Sequence, residues 1–222
     1  MIIGICGGIG SGKDTIAQYI CDSRGFVRVS MAAALKDAAA AIFGWNRDML
    51  EGLTQEHRAL REQVDTFWAD RLSRPDFSPR VALQILGTDL FRDSFHTETW
   101  VIAAERKLMQ CSNAVISDIR FPNEIEMIKR YNGQLWHVRR GDDPVWWQSA
   151  KDHIAGRPGW RGGRYYAGSP SMSSETDLAL VGVHYSEWAW ANTKFDVVLD
   201  NNDTLAALYN EVELILQSSN TK

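Results

Sequence analysis

Cysteine is scarce in this 222-residue chain, and the few cysteines follow no pattern that metal or redox chemistry requires. Cys6, Cys21 and Cys111 have neither the spacing of a zinc site nor that of a C-x-x-C pair. The five histidines also lack metal-ligand spacing. We therefore expect no zinc or histidine-ligated metal centre, and cysteines that act as small core residues in a reducing cytoplasm.

The sequence also lacks a long apolar run and an excess of positive charge. No stretch approaches the roughly 18 apolar residues that span a bilayer, and the first strand-like residues leave no room for a signal peptide. Lys and Arg number 24 against 28 Asp and Glu, so the net charge is −4 and gives no overall attraction to nucleic acid. We expect a cytoplasmic protein that binds neither membrane nor nucleic acid.

Glycine is concentrated directly behind the apolar run of residues 1–6. A short buried strand, a glycine-rich turn and a lysine that opens a helix are typical of the phosphate-binding loop of nucleotide enzymes. Glycines let backbone N–H groups converge on phosphate oxygens, and the helix N-terminus adds partial positive charge. The pattern predicts that a nucleotide's phosphates are bound by Gly10, Ser11, Gly12, Lys13, Asp14 and Thr15.

The loop departs from the commonest pattern at one position, because Asp14 follows the lysine where Ser or Thr is usual. Thr15, one place later, is the residue expected to offer its hydroxyl to phosphate or Mg²⁺. Asp14 is expected to orient Lys13 or a metal-bound water. This G-K-x-T spacing resembles that of nucleoside monophosphate kinases.

Five short strand-like runs alternate with helical patterns, at 1–6, 26–29, 113–118, 134–138 and 195–199. They predict an α/β fold with a doubly wound, mostly parallel five-stranded sheet. Helices are expected at 31–43 with Ser30 as cap, at 54–72, from Pro79 to about Phe91, at 97–110, from Pro122 and after Thr204. We expect one domain over 1–222, with its core in 1–29, 113–138 and 195–222, a helical acceptor-binding region at 30–112 and a lid-like insertion at 139–194.

Nine tryptophans are an unusual number, and five of them lie between residues 146 and 190. The favoured interpretation is that these large rings pack a loop-rich part of the chain. The alternative is that one or two of them stack on a nucleotide base.

Three segments resemble the deoxynucleoside monophosphate kinase family known from bacteriophages. They are residues 11–15, residues 78–90 followed by Trp100, and residues 117–124, and the string L-Q-I-L-G-T-D-L at 83–90 is the most distinctive. Weaker matches lie at 34–37 and 200–205. The resemblance implies a P-loop kinase that uses ATP and Mg²⁺ to convert a (deoxy)nucleoside 5′-monophosphate to the diphosphate, in the host cytoplasm if a phage encodes it, and it allows a homodimer.

The resemblance also implies roles for individual residues. Lys36 and Arg80 would bind the acceptor phosphate, and Arg120 would contact phosphate. Gly87, Thr88 and Glu124 would contact the nucleoside, and Trp100 would form a wall of the base pocket. Asp118 would lie near the phosphates or Mg²⁺. The implied catalytic set is Lys13, Arg80, Asp118 and Arg120, with Arg139 and Arg140 as lid arginines. Arg157, Arg161 and Arg164 punctuate the lid-like insertion, and Ser173-Ser174-Glu175 matches the family without a physical role.

Two alternatives to nucleotide phosphorylation stay open on the sequence. One is a P-loop kinase of another phosphorylated small molecule, such as dephospho-coenzyme A. The other is a nucleotide-binding regulatory module without turnover, whose tryptophan-rich segment binds a partner. A nucleic-acid ATPase is disfavoured by the net charge and by the lack of a glutamate directly after Asp118.

Overall fold

A five-stranded parallel sheet forms the centre of the computed structural model, which describes residues 1–155, 180, 183 and 185–219. Its strands are β1 (Ile2–Cys6), β2 (Val27–Val29), β3 (Ala114–Ile116), β4 (Gln134–Arg139) and β5 (Val197–Asp200). They lie in the order β2-β3-β1-β4-β5, and each pairing is parallel. The predicted α/β class and parallel sheet are therefore confirmed.

The chain forms two compact units, which we call the core unit (residues 1–30 and the described residues from 105 onward) and the helical unit (residues 31–104). The core unit contains the sheet with α1 (Lys13–Arg24), α8 (Pro122–Arg130), α9 (Trp147–Ala155), a one-turn 3₁₀ helix (Tyr185–Glu187) and α10 (Leu205–Ser219). The helical unit contains α2 (Ala33–Phe43), α3 (Arg47–Glu51), α4 (Gln55–Glu62), α5 (Thr66–Leu72), α6 (Pro79–Gln84) and a π-helix (Ile85–Phe95). Helix α7 (Thr99–Leu108) leads back to the core unit.

Burial of β1 fixes the position of the loop that follows it. All five residues of β1 are buried, as expected for a central parallel strand whose two faces are both covered. Ile3 and Ile5 pack with Ile16 and Ile20 of α1, so the same apolar cluster holds the strand before the loop and the helix after it. The loop between them is thus anchored at both ends.

The helical unit has two apolar clusters of its own. One contains Leu35, Leu50, Leu86 and Trp100, and the other contains Ala69, Phe77 and Ala82. At Gly87 a Cβ atom would lie 2.8 Å from Leu35 Cδ2, closer than carbon atoms pack, so a side chain there would displace the leucine.

The single helix predicted at 54–72 is wrong, because the structure has two helices there. Helix α4 ends at Glu62 and α5 begins at Thr66, after Asp65 accepts a hydrogen bond from Trp68 N (3.2 Å). An aspartate that caps a new helix competes with continuation of the old one. Val64 and Phe67, whose spacing is compatible with one face of a longer helix, are 45% and 54% exposed.

The helix predicted from Pro79 to about Phe91 is α-helical only as far as Gln84. It continues as a π-helix from Ile85 to Phe95, and His96 N donates to Phe91 O (2.8 Å) with the i→i−5 spacing of that form. The wider turn takes Leu90, which is 49% exposed, off the face that α-helical spacing would share with Leu86.

Packing is confirmed as the role of most of the clustered tryptophans that the structure describes. Trp147, Trp188 and Trp190 are buried, and the Trp147 and Trp190 ring centroids lie 4.9 Å apart. Trp160 lies outside the described residues.

The imidazole of His137 should make the stability of the fold depend on pH. It lies 5.1 Å from the Trp190 ring and 4.9 Å from the Phe195 ring, and burial, aided by Arg139, lowers its pKa from 6.5 to about 4. The unfolded chain takes up a proton near pH 6.5, so the free energy of unfolding should be highest above that pH and fall by about 2 kcal/mol toward pH 4. Urea unfolding at pH 7.5 and 4.5 should show a smaller fall for His137→Phe, and an equal fall in both proteins would contradict the assignment.

Candidate functional site

The glycine-rich loop connects the end of β1 to the start of α1 and is closed by contacts that only glycine allows. Gly7 and Gly12 have φ angles of 155° and 102°, which favour glycine. A Cβ at Gly7 would lie 2.4 Å from Val138 O, and one at Gly12 would lie 2.4 Å from Asn201 Nδ2. Neither position therefore accepts a side chain, and the loop backbone stays close to β4 and to the residue after β5.

The ammonium group of Lys13 is turned back onto this loop. Its Nζ donates to Gly8 O (2.7 Å), and the residue is buried. Burial, together with the charge of Arg120, lowers the pKa of Lys13 to about 8. The positive charge of Lys13 is therefore only partly neutralised. An anion that enters the loop can pair with this charge with little rearrangement of the protein.

Ser11 also offers an unused polar group. Its Oγ is buried and has no hydrogen-bond partner among the residues that the structure describes, although buried polar atoms usually have one. Its carbonyl oxygen accepts a bond from Asn201 Nδ2 (2.9 Å), and the backbone N–H of Asn201 donates to Arg139 O (2.8 Å). Asn201 therefore braces the loop from the end of β5, a role that the sequence analysis missed.

Residues that follow β2 and β3 meet at the same edge of the sheet, as parallel strands require. Ser30 Oγ donates to Asp118 Oδ2 (2.7 Å). The expectation that Ser30 caps the helix after it is wrong, because α2 begins at Ala33 with Ala32 as its N-cap and the Ser30 hydroxyl is engaged by the carboxylate. Asp118 thus lies just after β3 with one of its oxygens oriented by Ser30, and its expected place near the phosphates stays a prediction.

Asp14 contacts residues other than those expected of it. Its Oδ1 accepts hydrogen bonds from Ser117 Oγ (2.8 Å) and from Arg28, while Lys13 is bonded to Gly8. Arg28 also donates to Ser117 Oγ (2.9 Å). The carboxylate therefore connects the first turn of α1 to β2 and to the end of β3, and the sequence analysis did not foresee Arg28.

The oxygen donors at the start of α1 and just after β3 suit an Mg²⁺ ion that arrives bound to a nucleotide. Among the described residues no group of three or more His, Cys, Asp and Glu side chains could hold a metal ion. Mg²⁺ needs no such cage, because it keeps several waters and uses one or two protein oxygens together with substrate phosphates. The Thr15 hydroxyl on α1 and the Asp118 carboxylate that Ser30 orients are oxygen donors of this kind.

Arg120 is held at both its backbone and its guanidinium. Glu124 is buried, and its Oε2 accepts the N–H groups of Arg120 (2.7 Å) and Phe121 (3.1 Å), which caps α8. Arg120 Nη1 lies 2.9 Å from Glu187 Oε2. The structure thus gives Glu124 a capping contact, and its predicted contact with the nucleoside stays a prediction.

Both predicted phosphate-binding cations of the helical unit have a carboxylate partner. Lys36 Nζ lies 2.8 Å from Glu51 Oε1, and Arg80 Nη1 lies 3.1 Å from Glu62 Oε1. The Arg80 pair is about half exposed, and such pairs contribute little, so a phosphate can replace that carboxylate at small cost.

The residues predicted to contact the nucleoside are brought together in part. Trp100 is buried, and its Nε1 donates to Gly87 O (2.8 Å), while Thr88 next to Gly87 is partly exposed. Trp100 is a core residue of the helical unit, and its second expected role as a base wall stays a prediction.

The predicted lid arginines are described only in part. Arg139 is the last residue of β4, with nitrogen atoms 3.8 Å from Asp143 Oδ1 and 3.9 Å from Asp200 Oδ1, and Arg140 is exposed. The remaining candidates, Arg157, Arg161, Arg164 and the segment 173–175, lie outside the described residues.

Comparison with known proteins finds the same family by sequence. The family model described as "Deoxynucleotide monophosphate kinase" matches residues 55–158. A protein of Acanthamoeba polyphaga mimivirus named "Putative deoxynucleotide monophosphate kinase" is 30% identical over 96% of this chain and 94% of its own length. The "Deoxynucleoside-5'-monophosphate kinase" of Escherichia phage T5 is 26% identical over 60% of this chain and 73% of its own.

Solved structures resemble the chain less closely. Shikimate kinase from Aquifex aeolicus is 12% identical with a TM-score of 0.46, and the match covers 100% of this chain and 99% of that one. A dephospho-CoA kinase from Campylobacter jejuni is 13% identical with a TM-score of 0.42, covering 97% and 95%. Likeness at this level says nothing about the substrate.

Asn201→Ala should weaken nucleoside triphosphate binding, because it removes the bond that fixes the Ser11 carbonyl. A net hydrogen-bond contribution of about 1 kcal/mol corresponds to a roughly fivefold higher Kd. Isothermal titration calorimetry with ATP measures it. Asn192→Ala is the matched control, since Asn192 Nδ2 donates to another backbone carbonyl, that of Lys151 (2.7 Å). Equal affinity in the two variants would show that the Asn201 bond does not support the loop.

Proposed function

The chain belongs to the deoxynucleotide monophosphate kinase family, and from that premise we propose which of its residues move the γ-phosphoryl group of ATP to a (deoxy)nucleoside 5′-monophosphate. The family makes it a phosphotransferase with ATP as phosphate donor and a nucleoside monophosphate as acceptor. The observation that carries the assignment of residues is the buried ammonium of Lys13, held by Gly8 O in a loop whose Ser11 hydroxyl has no partner among the described residues.

On the donor side, the loop binds the phosphates of ATP through the backbone of Gly10, Ser11 and Gly12 and the side chains of Lys13 and Thr15. Lys13 Nζ exchanges Gly8 O for an oxygen of the terminal phosphates, which restores its missing neutralisation. Asp14 contributes by fixing the first turn of α1 to Arg28 and Ser117. Thr15 and Asp118 would hold Mg²⁺, which when bound spreads and neutralises the charge of the transferring phosphoryl group.

On the acceptor side, we assign the 5′-phosphate to Lys36, Arg80 and Arg120, and the nucleoside to Gly87, Thr88, Trp100 and Glu124, as the family resemblance implies. An oxygen of the acceptor phosphate attacks the γ-phosphorus, a new P–O bond forms, and the bond to the β–γ bridging oxygen breaks to leave ADP. The second pKa of a phosphate monoester is about 6, so the nucleophile is already ionised at neutral pH and no general base is required. The protein contributes positioning and charge.

Arg139 and Arg140 act at the end of β4, where the lid-like insertion begins. The long contacts of Arg139 with its two carboxylates leave its guanidinium able to move to a phosphate. When these arginines close over the phosphates they exclude water, and the exclusion of water limits hydrolysis of ATP in place of transfer.

No described helix of the chain has the length and apolar character needed to cross a bilayer. We assign the enzyme to the cytoplasm, where its nucleotide substrates are, and to the host cytoplasm if a phage encodes it. We expect it to act without nucleic acid, and a homodimer is compatible with this function.

A phosphoryl-transfer screen tests the proposal. ATP and Mg²⁺ are incubated with each ribo- and deoxynucleoside 5′-monophosphate, and diphosphate is measured for the native chain, Lys13→Ala and Lys107→Ala. At least one deoxynucleotide should be phosphorylated, and Lys13→Ala should lower kcat/KM by about a hundredfold or more, because it removes a charge that stabilises the transition state.

The exposed Lys107 on α7 provides the matched control, and its variant should keep full activity. ATP binding without diphosphate from any nucleotide would contradict the proposal. The chain would then phosphorylate another phosphorylated small molecule, or bind a nucleotide without turnover.

A further inference from the structure

Glu187 lies on a turn that the core unit holds in place. The turn is the 3₁₀ helix Tyr185–Glu187, and the Tyr185 ring centroid lies 5.8 Å from that of Phe121. Trp188, the next residue, is buried with its ring 5.2 Å from that of His153 on α9. Ring contacts on both sides therefore fix the backbone from which the Glu187 carboxylate projects.

This carboxylate contacts the one candidate phosphate-binding arginine that follows β3. Arg120 Nη1 lies 2.9 Å from Glu187 Oε2, and the two side chains are only 22% and 23% exposed. At that exposure solvent screens the pair less than it screens an ordinary surface ion pair. Since Glu124 holds the backbone N–H of Arg120, the residue is fixed at both ends of its side chain.

Holding a long side chain in advance has a defined benefit. A free arginine side chain carries about 2 kcal/mol of rotamer entropy, which it must lose when it binds a ligand. Guanidinium has five N–H donors, and one carboxylate occupies only part of them. Arg120 can therefore bind a phosphate while it keeps its contact with Glu187.

The charges around the loop favour the same arrangement. The positive charge of Arg120 lowers the pKa of Lys13, and the negative charge of Glu187 raises it. Glu187 is thus close enough to both cations to offset their mutual repulsion before any phosphate is bound.

We propose that Glu187 is a positioning residue for phosphoryl transfer, which holds the Arg120 guanidinium in the orientation that receives phosphate. The inference rests on the proposed function, in which Arg120 contacts phosphate. Because the charge on the transferring group is redistributed in the transition state, loss of orientation lowers kcat more than it raises KM.

Glu187→Gln tests this, because it keeps the size of the side chain and removes its charge. We expect kcat to fall about tenfold, with KM for ATP and for the acceptor within about twofold, as for a displaced catalytic group. Glu105→Gln is the matched control, since Glu105 Oε1 pairs with Arg130 Nη2 (2.6 Å) between α7 and α8. That variant should keep the native kcat.

A double-mutant cycle separates positioning from a structural role. In an Arg120→Ala background there is no guanidinium to orient, so adding Glu187→Gln should change kcat by less than about twofold. A structural role would instead lower kcat by the same factor in both backgrounds, and that result would overturn the inference.

The remaining outcomes distinguish the inference from the proposed function. An impaired Arg120→Ala with a fully active Glu187→Gln would overturn the inference alone and leave the assignment of Arg120 standing. A Glu187→Gln enzyme with lower KM for ATP or acceptor and unchanged kcat would also overturn it, because the carboxylate would then be a competitor of phosphate. A fully active Arg120→Ala would remove the phosphate role of Arg120 and the inference with it.

Discussion

The under-neutralised ammonium of Lys13 is the interaction on which the rest of the site depends. A buried lysine is costly unless its charge is compensated, and here its ammonium donates a hydrogen bond to the neutral carbonyl of Gly8. The burial of β1 and the packing of α1 keep the loop rigid around it, and Asn201 holds the Ser11 carbonyl. The stability of the fold thus keeps the positive charge of Lys13 only partly neutralised, and a polyanionic ligand would complete its neutralisation.

In the proposed function, the partly neutralised charge of Lys13 serves both phosphate binding and phosphoryl transfer. Donor and acceptor each bring negative phosphates to Lys13 and Arg120, and the charge of Glu187 offsets the repulsion between these two cations. Because little reorganisation is needed when the phosphates enter, the electrostatic gain goes to the transition state rather than to rearranging the protein. The reaction needs no covalent intermediate, and the residues assigned to it supply only charge, hydrogen bonds and orientation.

The sequence predicted those parts of the molecule that are local or that follow from parallel topology. The loop around Lys13 is contiguous, and the parallel sheet could be predicted because strand-like runs alternate with helical ones. Three residues escaped prediction because their partners are distant in sequence. Glu187 contacts a residue 67 positions away, Arg28 contacts residues 14 and 89 positions away, and Asn201 contacts one 190 positions away. The sequence also failed to predict the break between two helices at 63–65 and the π-helix after Gln84. An apolar spacing of 3.6 residues assumes one uninterrupted α-helix. A capping aspartate or a wider helical turn leaves that spacing almost unchanged.

A crystal structure with a bisubstrate analogue, adenosine and deoxynucleoside joined through a phosphate chain, tests the central claim most directly. Lys13 Nζ should leave Gly8 O and lie about 2.8 Å from a phosphate oxygen, the distance of a charge-assisted hydrogen bond. The Arg120 guanidinium should contact phosphate while it keeps its bond to Glu187. A structure in which Lys13 still bonds to Gly8 O, with the phosphate chain bound elsewhere, would contradict the claim that this buried charge is the phosphate receptor.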